Sequence, residues 1–130
     1  MASRKEKRVV LLPDRVIDGR SSAALENTAV IVEDRSIVAL VEQSRIPGNA
    51  DIIELPGATL MPGMINCHEH PLMYGDDYQL AHLQASSAYK ALKGLASLQR
   101  LLFHGWTGVR VLGDIDVFYA NQDIRRVIEE

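Results

Sequence analysis

The chain has 130 residues, 47% of them apolar and 24% charged, so it is about one domain long and can bury a core. The net charge of −3 and the scattered basic residues exclude the extended basic surface expected of a nucleic-acid-binding protein. The one basic cluster, Arg4–Arg8, is interrupted by Glu6 and is predicted to be a solvated tail.

Cysteine content and apolar run lengths indicate the compartment. The single cysteine, Cys67, excludes an internal disulfide and is typical of a reducing environment. The apolar run Val9–Leu12 is shorter than the core of about 7–15 residues in a secretory signal. No apolar run approaches the length of about 18 residues that a membrane span requires. The sequence therefore predicts a cytoplasmic protein that does not cross a membrane.

Residues 1–60 are predicted to form a small β-rich domain. The run Val9–Leu12 is closed by Pro13, and Asp51–Leu55 is followed by the turn dipeptide Pro56-Gly57. Short strands separated by such breakers predict a small β-sandwich, or a sheet that lies against another element.

A hairpin is predicted inside this β-rich region. Thr28–Val32 and Ile37–Val41 are rich in β-branched residues and are separated by the polar segment Glu33–Ser36. Two β-branched runs joined by a short polar connection are typical of antiparallel strands.

The segment Met64–His70 carries the clearest chemical signal and begins the second region, residues 61–130. It follows a Pro-Gly breaker and has the character of a strand ended by Pro71. Because side chains alternate between the faces of a strand, His68 and His70 are predicted to point the same way. Two imidazoles so placed can bind one divalent ion at Zn–N distances of about 2.0–2.1 Å.

The two residues that alternate with these histidines are predicted to face away from them. Cys67 is interpreted as a buried structural thiol. Glu69 is interpreted as a partner for a helix or loop and not as a ligand.

A loop and a helix are predicted next, over residues 72–79 and 86–104. Ser86 or Ser87 is the expected N-terminal cap, with an earlier start left open, and Gly105 ends the helix. Gly94 lies in the apolar stripe, which predicts a close helix–sheet contact there. The stripe consists of Ala88, Ala91, Leu92, Leu95, Leu98, Leu101 and Leu102.

The remaining segment repeats the order strand, loop, helix. Residues 106–112 have strand character, Gly113-Asp114 turns the chain, and Asn121 is the expected cap of a closing helix. Alternating strands and helices predict parallel strands, whose carboxyl ends are the usual place for ligands. His68 lies at such an end, which agrees with a metal site.

The other polar candidates are given mainly structural interpretations. Arg110 is expected to pair with an acid, with substrate contact as the alternative, and Asp114 is expected to be a turn residue. Surface or capping roles are expected for the two remaining histidines, His82 and His104. A solvated loop, with substrate contact as the alternative, is expected for Asp76, Asp77 and Tyr78.

The segment Pro62–His70 resembles the first-strand signature of the amidohydrolase superfamily, in which Pro-Gly, an apolar residue, Ile and Asp or Asn precede His-x-His. The resemblance extends to the β-rich stretch before it. It also extends to Leu101–Arg110, which is similar to the second barrel strand of imidazolonepropionase-like and prolidase-like members. Val111 stands where prolidase-like members usually have aspartate.

The resemblance implies an α/β fold, a partial (β/α)₈ TIM barrel of two strand–helix units preceded by a small β-sandwich-type domain. It implies His68 and His70 as metal ligands and one or two divalent ions, with zinc favoured. The metal would activate water against an amide-type carbon–nitrogen bond of a small molecule. The catalytic acid or base is not identified in this chain.

The chain is shorter than the roughly 250 residues of a complete barrel. The expectation is therefore an amino-terminal portion that is inactive alone. The alternatives are a non-catalytic remnant that binds a partner, including a homo-oligomer, and a small metal-binding module that adds Asp76 or Asp77 to the histidines.

Overall fold

A computed structural model describes residues 8–114 and 116–130. Of the tail predicted for Arg4–Arg8, residues 4–7 lie outside the described residues. For Arg8 the prediction is wrong, because this residue begins the first strand and its guanidinium pairs with Glu33. The chain divides into two compact units, the first ending at Pro62 and the second beginning at Gly63. Among the described residues, no helix has both the length and the apolar character needed to cross a membrane.

The first unit is a five-stranded mixed sheet. Strand β1 pairs antiparallel with β2 and β3, β3 pairs antiparallel with β4, and β5 runs parallel to β1. A short 3₁₀ turn at Gln43–Arg45 follows β4. The strands are β1 Arg8–Val16, β2 Leu25–Glu26, β3 Thr28–Glu33, β4 Ser36–Glu42 and β5 Asp51–Leu60. The described residues of this unit form one sheet, so the two-layered sandwich stays a prediction.

The predicted hairpin is confirmed, with a shorter connection than expected. Glu33 pairs with Ser36, so both belong to the strands and only Asp34 and Arg35 connect them. Asp34 has a φ of 53°, a left-handed conformation that aspartate tolerates better than most residues.

Pro13 and Pro56-Gly57 were expected to end strands, and this expectation is wrong. Both lie inside paired strands, where the register of β1 and β5 shifts after Pro13. The backbone N–H of Gly57, whose φ is 75°, donates to the carboxylate of Asp14 over 3.1 Å. Both breakers therefore lie at one irregularity shared by β1 and β5. A proline is tolerated there because the regular ladder of hydrogen bonds is interrupted.

The core of the first unit is apolar. Val10, Ala29 and Ile31 are buried together. Around them pack the partly buried side chains of Leu12, Ala39, Val41, Ile46 and Ala50.

The second unit is built on two parallel strands, β6 (Met64–Glu69) and β7 (Trp106–Val111). Helices α1 (Tyr78–Gln84) and α2 (Ser87–Phe103) connect them, and α3 (Ala120–Glu129) follows β7. The predicted parallel arrangement is confirmed, and the protein is a mixed α/β structure.

The helix boundaries confirm one predicted cap and correct others. The hydroxyl of Ser86 accepts from the N–H of Tyr89 over 3.2 Å, as expected. The predicted loop ends at Asp77, whose carboxylate caps α1 by accepting from the N–H of Leu80 over 2.9 Å. Asn121 does not cap α3, because the helix already begins at Ala120.

Gly94 marks a close approach, but not between helix and sheet as predicted. A Cβ atom at this position would lie 2.8 Å from Leu72 Cδ2, 2.9 Å from Ile124 Cδ1 and 3.3 Å from the carbonyl oxygen of Pro71. The neighbours are therefore the turn after β6 and helix α3. Leu72, Ala120 and Ile124 form the buried cluster at this contact.

Only part of the predicted stripe of α2 is covered. Ala91, Leu95 and Leu98 pack against the buried cluster, whereas Leu92 and Leu102 are 69% and 57% exposed. The helix therefore uses one narrow face within this unit.

Candidate metal site

The two histidine rings converge at the carboxyl end of β6. His68 is the fifth residue of the strand, and His70 follows its last residue. The Nε2 atoms of the two rings are 3.1 Å apart, and the ring centroids are 5.1 Å apart. This separation is short enough for both nitrogens to reach one ion at about 2.0–2.1 Å.

The backbone sets the tautomer of His70. Its Nδ1 lies 2.5 Å from the carbonyl oxygen of Gly113, just beyond β7. A carbonyl only accepts, so Nδ1 carries the proton and the lone pair is left on Nε2, the atom that faces His68. A metal-binding histidine is commonly held this way through its second nitrogen.

Asn66 supports the other histidine through the backbone. Its side-chain oxygen accepts from the N–H of His68 over 3.0 Å, and its amide nitrogen donates to the carboxylate of Glu69 over 2.5 Å. Glu69 therefore pairs within its own strand, which corrects the prediction of a helix or loop partner. The pairing of β6 with β7 is irregular over the same residues, between Asn66 and Glu69.

Cys67 was predicted to be a buried thiol, and this prediction is wrong. The residue is exposed. Ile65, two positions earlier on the same strand, is also 68% exposed. Among the described residues, no apolar layer of this unit covers that face of β6.

Asp114 has a larger role than the predicted turn. One carboxylate oxygen, Oδ2, lies 3.3 Å from the backbone nitrogen of Leu72 and 2.9 Å from the side-chain nitrogen of Asn121, and both groups donate to it. The other oxygen, Oδ1, is buried without a hydrogen-bond partner among the described residues. This side chain thus connects the turn after His70 to helix α3.

A buried ion pair lies in the same unit and was missed in the sequence. Lys90 Nζ is 3.3 Å from an oxygen of Asp116, and the side chains are 7% and 2% exposed. The hydroxyl of Ser87 donates to Asp116 over 2.8 Å, and the N–H groups of Phe118 and Ala120 donate to it as well. Burial alone would raise the pKa of Asp116, but the hydrogen bonds from Ser87 and Lys90 outweigh it and lower the pKa.

A sequence signal for this pair exists only in part. Ser87, Lys90 and Gly94 share one face of α2, and Lys90 and Gly94 are buried there. Polar residues normally lie on the solvent-facing side of such a helix. The partner is 26 residues away, so the sequence pattern could not identify it.

The other sequence candidates lie in ordinary structural positions. His104 caps α2, with Nδ1 donating to the carbonyl oxygen of Arg100 over 2.7 Å, as expected. The surface or capping role expected for His82 is wrong, because this residue is partly buried and its Nδ1 has no hydrogen-bond partner among the described residues. Exposed positions are occupied by Asp76, Asp77, Tyr78 and Arg110. No acid among the described residues forms an ion pair with Arg110, so the pairing expected for it is wrong.

The described residues contain no group of three His, Cys, Asp or Glu side chains close enough to hold one ion. The alternative module, in which Asp76 or Asp77 completes the histidine pair, is therefore not assembled. An open cleft of about 1060 Å³ lies between α2, β7 and α3, and neither histidine lines it.

Known proteins resemble this chain in sequence and in structure. No protein-family model matches the chain. A 5'-deoxyadenosine deaminase of Methanosarcina acetivorans is 40% identical over 63 residues, covering 44% of this chain and 14% of that protein. A dihydroorotase of Mycobacterium tuberculosis is 32% identical over 73 residues, covering 56% of this chain and 17% of that protein.

Solved structures match over most of the chain. A prolidase complexed with N-methylphosphonate-L-proline is 30% identical with a TM-score of 0.72, over 82% of this chain and 26% of the other. Two more distant structures show the fold alone. An ochratoxinase of A. niger is 22% identical with a TM-score of 0.77, over 96% of this chain and 28% of that one. A Xaa-Pro dipeptidase with bound methionine is 21% identical with a TM-score of 0.80, over 95% of this chain and 30% of that one. The chain thus spans less than a third of the length of each.

Proposed function

Because its structural neighbours are amidohydrolase-superfamily members, we propose that this chain forms the amino-terminal, metal-binding part of a metal-dependent amidohydrolase. The reaction is hydrolysis of an amide-type carbon–nitrogen bond in a small molecule. The observation that carries the proposal is the convergence of His68 and His70, with 3.1 Å between their Nε2 atoms.

The donor set fits a divalent ion. Neutral imidazole is a common ligand for zinc, and both Nε2 atoms face the same point while Nδ1 of His70 is already bonded to Gly113. When bound, a divalent ion supplies Lewis acidity and lowers the pKa of water toward neutrality. The chain itself orients the two rings: Asn66 holds the backbone of His68, and Gly113 holds the ring of His70.

The position of the pair supports the barrel interpretation. Strands β6 and β7 are parallel. His68 lies near the carboxyl end of β6, and His70 and Gly113 follow the ends of β6 and β7. Active sites of (β/α)₈ barrels lie at that end of the strands. In this proposal the second unit supplies the first two strand–helix units of the barrel, and the first unit is the small β-rich domain that precedes it.

Two ligands do not make a complete catalytic site. Catalytic zinc usually has three protein ligands and an open position. The proposal therefore requires further ligands and a proton-transfer group from outside the described residues, and the chain alone is expected to be inactive. Assayed with amide and lactam substrates and added zinc, it should give no turnover above free metal, whereas turnover abolished by His68→Ala would contradict this part.

Self-association and cellular location are two further predictions. Leu92, Phe103 and Val127 are more than half exposed on α2 and α3, and exposed apolar side chains of this kind favour association. A homo-oligomer and a cytoplasmic location therefore stay predictions, the latter resting on the single cysteine.

Calorimetric titration of the full chain with zinc tests the ligand assignment. One ion should bind. Loss of an outer-shell partner typically lowers metal affinity about 10–100-fold, and His68→Ala and His70→Ala, which each remove a ligand, should lower it further. His82→Ala and His104→Ala are the matched controls and should bind as the wild type does. Undetectable binding, or binding that survives loss of both candidate ligands, would overturn the assignment.

A further inference from the structure

The turn that follows His70 is fixed by burial on one side. Pro71 is almost fully buried, and Leu72 is 3% exposed in the cluster with Ala120 and Ile124. The N–H of Met73 donates to the carbonyl oxygen of His70 over 3.0 Å, which closes the turn. The backbone leaving His70 is therefore held against the helices of this unit.

The ring of His70 is fixed from the other strand. Its Nδ1–H donates to the carbonyl oxygen of Gly113, the residue directly before Asp114. An imidazole bonded at Nδ1 can present only Nε2 to a ligand. The position of that one carbonyl therefore decides which nitrogen of His70 is available.

The side chain of Asp114 connects these two supports. Its Oδ2 accepts from the N–H of Leu72 and from the side chain of Asn121 on α3. The same residue thus ties down the turn after His70 while its neighbour bonds the His70 ring. Farther along this loop, Asp116 is anchored by Ser87 and Lys90 at the start of α2.

We propose that Asp114 is a positioning residue for His70, which holds the Gly113 carbonyl and the turn in register so that the ring keeps its proton on Nδ1 and directs Nε2 toward His68. Its consequence for metal affinity rests on the proposed function. Its effect on the ring does not, because the bonds involved are all within the metal-free chain.

The arrangement of the carboxylate predicts which substitution is tolerated. Oδ2 makes both observed bonds, while Oδ1 has no partner among the described residues. An asparagine can keep its oxygen in the place of Oδ2 and put its nitrogen where no bond is lost. Asp114→Asn should therefore rescue what Asp114→Ala destroys.

Long-range ¹H–¹⁵N NMR of the metal-free chain, at a pH where histidines are neutral, tests the proposal. His70 should be the Nδ1–H tautomer in the wild type and in Asp114→Asn, and a mixture of tautomers in Asp114→Ala. Zinc affinity should fall about 10–100-fold in Asp114→Ala. Asp76→Ala removes an exposed carboxylate from the loop after β6 and is the matched control, with no change in either measurement.

An unchanged His70 tautomer in folded Asp114→Ala would overturn the proposal. If that variant does not fold, Asn121→Ala removes one of the two bonds to Oδ2, and it should shift the tautomer partly; no shift there would overturn the proposal as well. A tautomer that responds as expected in a chain whose histidines bind no zinc would leave the positioning role intact and refute the proposed function alone.

Discussion

The first unit is stabilised by apolar packing across a sheet, with Val10, Ala29 and Ile31 at its centre, whereas the second combines a buried apolar cluster with the hydrogen-bonded carboxylates of Asp114 and Asp116. Apolar contacts have little directionality, so their loss lowers stability without moving one particular atom. Hydrogen bonds donated to a fixed carboxylate specify positions to within tenths of an ångström. The candidate site lies in the second unit, where hydrogen bonds of this kind connect the turn after β6 with the loop after β7.

The largest effect is expected from Lys90→Met. It leaves the Asp116 carboxylate buried without its cation, which should destabilise the second unit by about 3–5 kcal/mol. Urea unfolding followed by fluorescence of Trp106, the single tryptophan, measures this unit. Lys93→Met is the control, because Lys93 is exposed and lies over the ring of Tyr74. A Lys90 variant as stable as this control would show that the ion pair does not hold the second unit.

Ile31→Ala changes the other region. It removes a side chain that is 6% exposed in the core of the sheet, so the first unit should lose about 2–5 kcal/mol. Amide hydrogen exchange in β1 and β3 measures the loss, and Ile37→Ala, at a position 68% exposed, should change little. The His70 tautomer should stay as in the wild type. A shift of that tautomer would contradict the separation between the two regions.

Gly94→Ala is expected to lower stability although alanine is the better helix former by about 1 kcal/mol. The new methyl group would meet Leu72 and Ile124 at less than 3 Å, and such overpacking costs about 1–3 kcal/mol. Trp106 fluorescence during urea unfolding measures the change, with Ala96→Gly at an exposed position of α2 as the reference for propensity alone. A stabilised Gly94→Ala variant would mean that the close contact is not maintained.

The smallest expected effect is a difference in acid sensitivity. The lowered pKa of Asp116 stabilises the second unit above the ordinary aspartate pKa of about 3.9, and this contribution is lost as the pH falls through the lowered value. Asp18, in the first unit, also has a lowered pKa, caused by the N–H groups of Ser21 and Arg20, but these hydrogen bonds lie within one exposed turn. Urea unfolding between pH 5 and 2 should show a decline of the second unit that Asp116→Asn lacks. Equal declines in wild type and variant would contradict it.

Local sequence patterns predicted the elements better than their interruptions. The hairpin, the Ser86 cap and the parallel order of β6 and β7 follow from runs of residues that lie close in the chain. Pro13 and Pro56-Gly57 are strong local breakers, but pairing along both sides of the irregularity keeps their strands continuous. Tertiary pairing decided the outcome against local preference there.

The candidate site could be predicted only in its outline. Alternation along one strand places His68 and His70 on the same side, and this needs no knowledge of the rest of the fold. The bond from Leu72 to Asp114 spans 42 residues, and the bond from His70 to Gly113 spans 43. No sequence pattern connects residues so far apart, which is why Asp114 was interpreted as a turn residue.

The coordination shell of zinc bound to the full chain is the most direct test of the account. X-ray absorption at the zinc edge should find two imidazole nitrogens at about 2.0–2.1 Å in the wild type. It should find one in His68→Ala and one in His70→Ala. A wild-type shell with no imidazole, or a shell that keeps two imidazoles in either variant, would contradict the central claim that these two rings form a metal site.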